Sequence, residues 1–85
     1  SHLQRLFRQV YGMPVYHYIR EYRLEQAAVE LTRSGKRIVD VALDAGYDSA
    51  SKFSEAFKKR YGVTPSAYRI AAADASKRDI LRKME

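Results

Sequence analysis

Leu6–Arg20 reads LFRQVYGMPVYHYIR, and at an offset of fifty residues Ala56–Arg69 reads AFKKRYGVTPSAYR. At that constant offset Leu3 falls on Phe53, Phe7 on Phe57 and Arg8 on Lys58. Tyr11-Gly12 falls on Tyr61-Gly62, and Tyr18 on Tyr68. An internal repeat marks one supersecondary unit used twice. Each copy carries a basic amphipathic run, a glycine suited to end a helix, and a second helical start. The repeat therefore predicts an all-α chain built from two helix-turn-helix units.

Around the first copy, Leu3, Leu6, Phe7, Val10 and Tyr11 follow the i, i+3, i+4, i+7, i+8 spacing of one buried helical stripe. Ser1 is the expected cap and Gly12 the stop, so a reading helix is predicted over 1–11. Its outer face carries Ser1, Arg5 and Arg8, with Gln4 and Gln9 beside them. Pro14 opens a longer helix that runs to about Ser34, with Gly35 as its stop. Val15, Tyr18, Ile19 and Tyr22 form an apolar stripe in its first half; Leu24, Ala27, Ala28 and Leu31 form another in its second. At ~100° per residue the two stripes lie nearly opposite each other. A helix whose apolar side switches packs into two cores, so it reads as a connector. About twenty residues span ~30 Å, close to one DNA turn of ~34 Å.

Downstream, Ile38, Val41, Ala42 and Ala45 predict a short helix stopped by Gly46. Asp48-Ser49 then caps a second reading helix over 49–61. Its buried stripe is Phe53, Ala56, Phe57 and Tyr61, and its outer face holds Ser51, Glu55 and Lys58 with Lys52, Ser54 and Lys59 alongside. Arg60 falls on the apolar side, where the first copy has Val10, and should reach the edge with its charged head. Thr64-Pro65 starts a last helix carrying Tyr68. From Ile70 the chain turns Ala-rich and then charged, and Ser76 with Asp79 predicts a separate final turn or short helix. Residues 1–22 thus read as a first, incomplete subdomain and 23–69 as the rest of the connector plus the second. Residues 70–85 read as a tail or linker.

Eighty-five residues make one small domain. Sixteen Lys/Arg against ten Asp/Glu give +6, which favours a polyanion as partner, nucleic acid ahead of a membrane surface. The chain has no cysteine, which removes disulfides, thiolate chemistry and Cys-based zinc sites. His2 and His17 have no acidic or cysteine partner at ligand spacing, and no catalytic triad, carboxylate pair or phosphate loop occurs. The sequence therefore points to no enzyme, no metal and no cofactor. No apolar run approaches the ~18 residues of a membrane span. With no signal-peptide pattern, a cytoplasmic setting is the default expectation. Of seven tyrosines, Tyr11, Tyr18, Tyr22, Tyr61 and Tyr68 sit at core spacing, which argues against a base-stacking platform for single strands.

The pattern Arg23-Leu24, Leu31, Ile38, Val41-Ala42, Gly46-Tyr47, Ser49, Phe53, Phe57-Lys58, Gly62, Pro65 and Tyr68-Arg69 resembles the DNA-binding domain of AraC/XylS transcription regulators. His2–Phe7, HLQRLF, looks like the reading helix of the family's first helix-turn-helix unit. The resemblance implies two homeodomain-like helix-turn-helix subdomains on a long linker helix, the first lacking its opening helices. It implies a bacterial activator that reads two adjacent major grooves of double-stranded DNA and contacts RNA polymerase. Effector and dimerisation functions are then expected outside these residues. Carried over, Ser1, Gln4 and Arg5 face base edges in the first groove, and Ala50, Ser51, Lys52 and Glu55 in the second. Arg8, Lys36, Arg37, Lys58, Lys59 and Arg69 are the phosphate candidates. Glu55 stands at the repeat position of Arg5. Arginine forms a bidentate pair with guanine, whereas a carboxylate only accepts, so the second helix is expected to read weakly or mainly to touch backbone, and a surface pair of Glu55 with Lys59 is an equal alternative to base contact. A basic protein-interaction module and the DNA-binding part of a DNA-repair methyltransferase are the alternatives.

Overall fold

The computed structural model describes residues 2–84, and among these every regular element is a helix. The order is α1 His2–Tyr11, α2 Val15–Arg33, α3 Ile38–Asp44, α4 Ala50–Tyr61 and α5 Pro65–Met84. None of these helices is long and apolar enough to cross a membrane.

Local chemistry fixes most of the ends. Gly62 closes α4 in the left-handed conformation (φ 82°), and its N–H bonds the Lys58 carbonyl at 2.7 Å. Gly12 repeats this after α1, with φ 73° and a 2.8 Å bond to the Arg8 carbonyl. Ser49 caps α4 by accepting from the Lys52 N–H at 3.2 Å, and the Thr64 hydroxyl accepts from the Ala67 N–H at 3.2 Å at the head of α5. Pro14 proves to be the N-cap of α2 rather than its first helical residue. Gly35 does not stop α2. The chain leaves through an extended Ser34 (φ −122°), whose N–H and hydroxyl both donate to the Glu30 carbonyl. The Ser1 cap lies outside the described residues.

The core has one centre. Leu24, Ala27, Ala28 and Leu31 of α2 pack against Val41, Ala42 and Ala45 of the α3 region and Phe53 and Phe57 of α4. Phe53 and Phe57 are fully inaccessible. Ile38, Tyr47, Ala56, Tyr61 and Tyr68 close the rim. Here the second stripe of the connector is buried as its spacing requires. The first stripe is left largely uncovered: Tyr18, Ile19 and Tyr22 stay exposed, and no described α1 residue is fully buried. Of the expected α1 stripe, Phe7 alone is half-buried, while Leu3, Leu6, Val10 and Tyr11 remain open to solvent.

The repeat survives in three dimensions as two aromatic trios. Phe7, Tyr11 and Tyr18 have ring centroids 4.4, 5.3 and 5.4 Å apart. Phe57, Tyr61 and Tyr68 stand at 4.6, 5.3 and 5.8 Å. In each, the Phe meets the last Tyr edge-on, at 74° and 79°, the arrangement favoured by ring quadrupoles.

The last helix departs from expectation. Ser76 and Asp79 lie inside a continuous α5 instead of starting a new element. An N-cap needs a residue outside the helical dihedral region, and no Gly or Pro breaks the run after Pro65. Alanine has the highest helix propensity, so Ala71–Ala73 and Ala75 carry the helix onward. Beyond Ala72 the described residues of α5 are exposed. The radius of gyration is accordingly 16.1 Å. A compact chain of this length would have about 12 Å.

Truncating Phe57 to Ala should cost about 3–5 kcal/mol of unfolding free energy in a denaturant titration. Tyr47 behaves differently, because its hydroxyl is buried without a hydrogen-bond partner. Burial also raises its pKa, as it does that of Tyr61. Because both are raised on folding, the unfolded chain ionises first, and stability falls as pH climbs past ~10. Tyr47→Phe should leave neutral-pH stability unchanged or raise it by up to about 1 kcal/mol. It should also remove part of the alkaline loss, read as melting temperature against pH.

Candidate nucleic-acid interface

The helix-turn-helix geometry of the second unit rests on the turn between α3 and α4. Gly46 sits there with φ 90°, and a Cβ in its place would lie 2.8 Å from Nη1 of Arg23. The left-handed backbone is what reserves the position for glycine, since the Arg23 guanidinium is the far end of a flexible side chain that can swing aside. The Tyr47 N–H then bonds the Ala42 carbonyl at 3.0 Å and turns the chain toward Ser49. From that cap α4 presents its N-terminal half outward. Ser51, Lys52 and Glu55 are exposed and Ala50 is half-buried, beside helix-end N–H groups that attract anions. Lys52 reaches back to Asp48 at 3.4 Å, an exposed pair that yields readily to a stronger anion. Among the described residues Glu55 has no ion pair, so the anticipated bond to Lys59 does not form.

On α1, Gln4, Arg5 and Arg8 are exposed. They line one wall of a cavity of about 500 Å³, with Pro14, Val15, Tyr16 and Ile19 of the connector opposite. Ser1 lies outside the described residues. α1 and α4 thus each present a polar, net-basic face beside a helix-turn-helix bend.

The six phosphate candidates divide into two groups. Arg8, Lys58 and Lys59 are exposed, and among the described residues they have no ion pair. Lys36, Arg37 and Arg69 are engaged within the fold. Lys36 sits between Asp44 at 3.0 Å and Glu30 at 3.5 Å, and the hydrogen bond to Asp44 leads the causes that raise its pKa. Arg37 pairs with Asp40 at 3.1 Å. Arg69 turns inward: its Nε donates to the Leu31 carbonyl at 3.0 Å and Nη2 to the Lys36 carbonyl at 2.6 Å. A guanidinium at a helix C-terminus satisfies carbonyls that have no intrahelical partner. It takes the place of the glycine cap that α2 lacks and fastens α5 to the connector.

Sequence reasoning missed Arg20. It is exposed, has no ion pair among the described residues, and borders two creases where the connector meets the second unit. One, of about 270 Å³, includes Lys59 and Arg60 of α4. The other, of about 390 Å³, includes Gly46 and Tyr47. The sequence gives no warning, because the residue lies beside the connector's first apolar stripe and its neighbours across the two creases, Gly46 and Tyr47 in one and Lys59 and Arg60 in the other, are distant in sequence.

With this geometry in place, comparison with known proteins is informative. The sequence profile of the helix-turn-helix domain family matches residues 1–71. The chain belongs to the AraC/XylS helix-turn-helix family. It is 41% identical over 80 residues to the HTH-type transcriptional activator AarP of Providencia stuartii, covering 94% of this chain and 58% of that protein. It is 46% identical over 68 residues to the regulatory protein SoxS of Escherichia coli strain K12, covering 80% of this chain and 64% of that protein. A crystal structure of a transcriptional regulator from Chromobacterium violaceum, described as containing an AraC-type DNA-binding domain, superposes with a TM-score of 0.79. The two are 33% identical, over 85% of this chain and 64% of the other. The chain therefore spans somewhat under two thirds of the length of these relatives. As an AraC-type helix-turn-helix domain it is a double-stranded DNA-binding unit.

The two groups of cations should separate in experiment. Arg69→Ala should lower stability by about 1–3 kcal/mol through loss of charged hydrogen bonds to carbonyls. The salt dependence of DNA binding, measured where the protein remains folded, should not change.

Proposed function

We propose that this AraC-type domain reads specific double-stranded DNA through two adjacent major grooves, and that the protein containing it regulates transcription as a cytoplasmic activator. The observation that carries the reading is the duplicated unit: two outward basic helices, each joined by the same aromatic trio to the helix that follows it, α1 to the connector α2 and α4 to α5. The connector α2 has 19 residues and a length near ~28 Å at ~1.5 Å per residue. Recognition helices one DNA turn apart need a separation of ~34 Å, a length of the same order as the connector.

In this reading Gln4 and Arg5 face bases in one groove, with Ser1 ahead of them. Gln–adenine and Arg–guanine are the favoured bidentate pairings for these side chains. In the second groove Ala50, Ser51, Lys52 and Glu55 take the equivalent place. Alanine offers a methyl contact to thymine, and Glu55 accepts from a cytosine amino group. Arg8, Lys58 and Lys59 neutralise phosphates, joined by Arg20 at the crease. Lys36 and Arg69 serve the fold, whereas Arg37, in an exposed surface pair with Asp40, stays within reach of phosphate as Lys52 does. Activation rests on the likeness to AarP, which is named an activator, and RNA polymerase is the partner that activation requires.

Selection from a random duplex library at ~150 mM salt, where non-specific attraction is weak, tests the reading. Two short enriched blocks about one helical turn apart support it, and a pool without enrichment sinks it. Within the selected site, Arg5→Ala should remove preference at one position, worth about 1–3 kcal/mol of discrimination. Lys58→Ala should instead weaken all sequences alike and reduce the salt slope by about one. Equal loss on every sequence from both variants would remove Arg5 from the base-reading set.

A further inference from the structure

Arg60 occupies a position that the amphipathic pattern reserves for an apolar residue; the first copy has Val10 there. Its Nε donates to Oε2 of Glu21 at 2.8 Å, and its guanidinium carbon stands 4.7 Å from the centre of the Tyr61 ring. Glu21 lies on α2 near where the connector's apolar side changes over, one residue before Tyr22, the last of the first stripe, and three before Leu24, the first of the second. Among the described residues this is the one side-chain ion pair that joins the second reading helix to the connector. The other four lie within the 30–52 segment, away from the first unit.

We propose that the Glu21–Arg60 pair is a specificity-determining tie that sets the orientation of α4 on the connector, and so the spacing between the two DNA blocks the domain accepts. The reasoning is geometric. Phe53 and Phe57 anchor α4 through its inner face, and apolar contact is non-directional. It fixes which face of α4 turns inward but sets the fine angle of α4 on the connector less sharply than a directional bond does. A directional hydrogen-bonded pair at the C-terminal turn of α4 supplies the second fixed point. Stacking on Tyr61 fixes the guanidinium plane and reduces the side-chain freedom lost on pairing. The pair is partly exposed, so its contribution to stability is small and its effect is on angle. One base pair moves a DNA block by ~3.4 Å along the axis and by about a tenth of a turn around it. A small rotation of α4 therefore changes which spacing fits. The first unit has no counterpart, since Val10 cannot pair, so the adjustment belongs to the second unit alone.

This inference rests on the two-groove reading, and one experiment separates their failures. The intact protein is first taken through duplex selection, and its two blocks are then moved closer or further apart by one base pair. Affinity at each spacing is measured by fluorescence anisotropy for the unaltered protein, Glu21→Gln, Arg60→Met and the swap Glu21→Arg with Arg60→Glu. Circular dichroism confirms folding of each. The ratio of affinities between the selected and shifted spacings should narrow by about two- to fivefold in both single variants, the worth of an exposed ion pair. The swap should restore most of it. A ratio unchanged in both folded single variants overturns the tie and leaves the two-groove reading intact. So does a gain or loss of affinity that is equal at every spacing, which would mark Glu21 as a mere repulsive charge near phosphate. A single enriched block from the unaltered protein overturns the two-groove reading, and the tie with it.

Discussion

Phe53 and Phe57 can be fully buried on α4 only because α2 offers them Leu24, Ala27, Ala28 and Leu31 on a face cleared of long side chains. The backbone of the connector comes closest to α5 and α3, and α4 meets it through the side chains of this shared core. α3 docks Val41 and Ala42 into the remaining side. Every outward residue of the second unit takes its direction from this contact. Were α4 rotated by one residue, about 100° about its axis, Ser51 and Glu55 would leave the exposed face. The polar ties then refine what the apolar contact establishes: Arg69 closes the end of α2, and the Ser49 cap starts α4 in register.

The charge distribution follows from the same division of labour. Cations near the core are tied to carboxylates or carbonyls, as Lys36, Arg37 and Arg69 are. On α1 and α4, Arg8, Lys58 and Lys59 are left open, whereas Lys52 and Arg60 are paired. The +6 charge of the chain is thus unevenly available. Net charge alone would have treated these residues as equals.

Much of the architecture was legible in the sequence because it is written in local spacing. The 3.6-residue stripes located α2, α3 and α4, while Asp48-Ser49 marked the start of α4 and Thr64-Pro65 that of α5. Glycine in the left-handed conformation ended α1 and α4 as anticipated. What failed depended on residues distant in sequence. The end of α2 is closed by Arg69, thirty-eight residues from Leu31, so Gly35 was credited with a task it does not perform. The continuity of α5 was hidden because Ser76-Asp79 has the letters of a cap without the bend a cap requires. The α1 stripe was predicted buried from its pattern, but a pattern states only which face seeks cover, and within the described residues little covers it. For the interface, the helix faces of Gln4, Arg5, Ser51 and Lys52 followed from the repeat. The sorting of cations into engaged and open, and the place of Arg20, needed three dimensions.

The twin aromatic trios bear on how the chain acquires its form. Phe7 meets Tyr18, and Phe57 meets Tyr68, across only eleven residues. Closing so short a loop has a small entropic cost and takes on the order of 10–100 ns. The bond from Arg69 to Leu31 and the ion pair from Arg60 to Glu21 close loops more than three times longer. Each helix–glycine–helix unit can therefore find its own bend before the units find each other. The order of events in folding then parallels the duplication in the sequence: two local hairpins of helix first, and their mutual angle last.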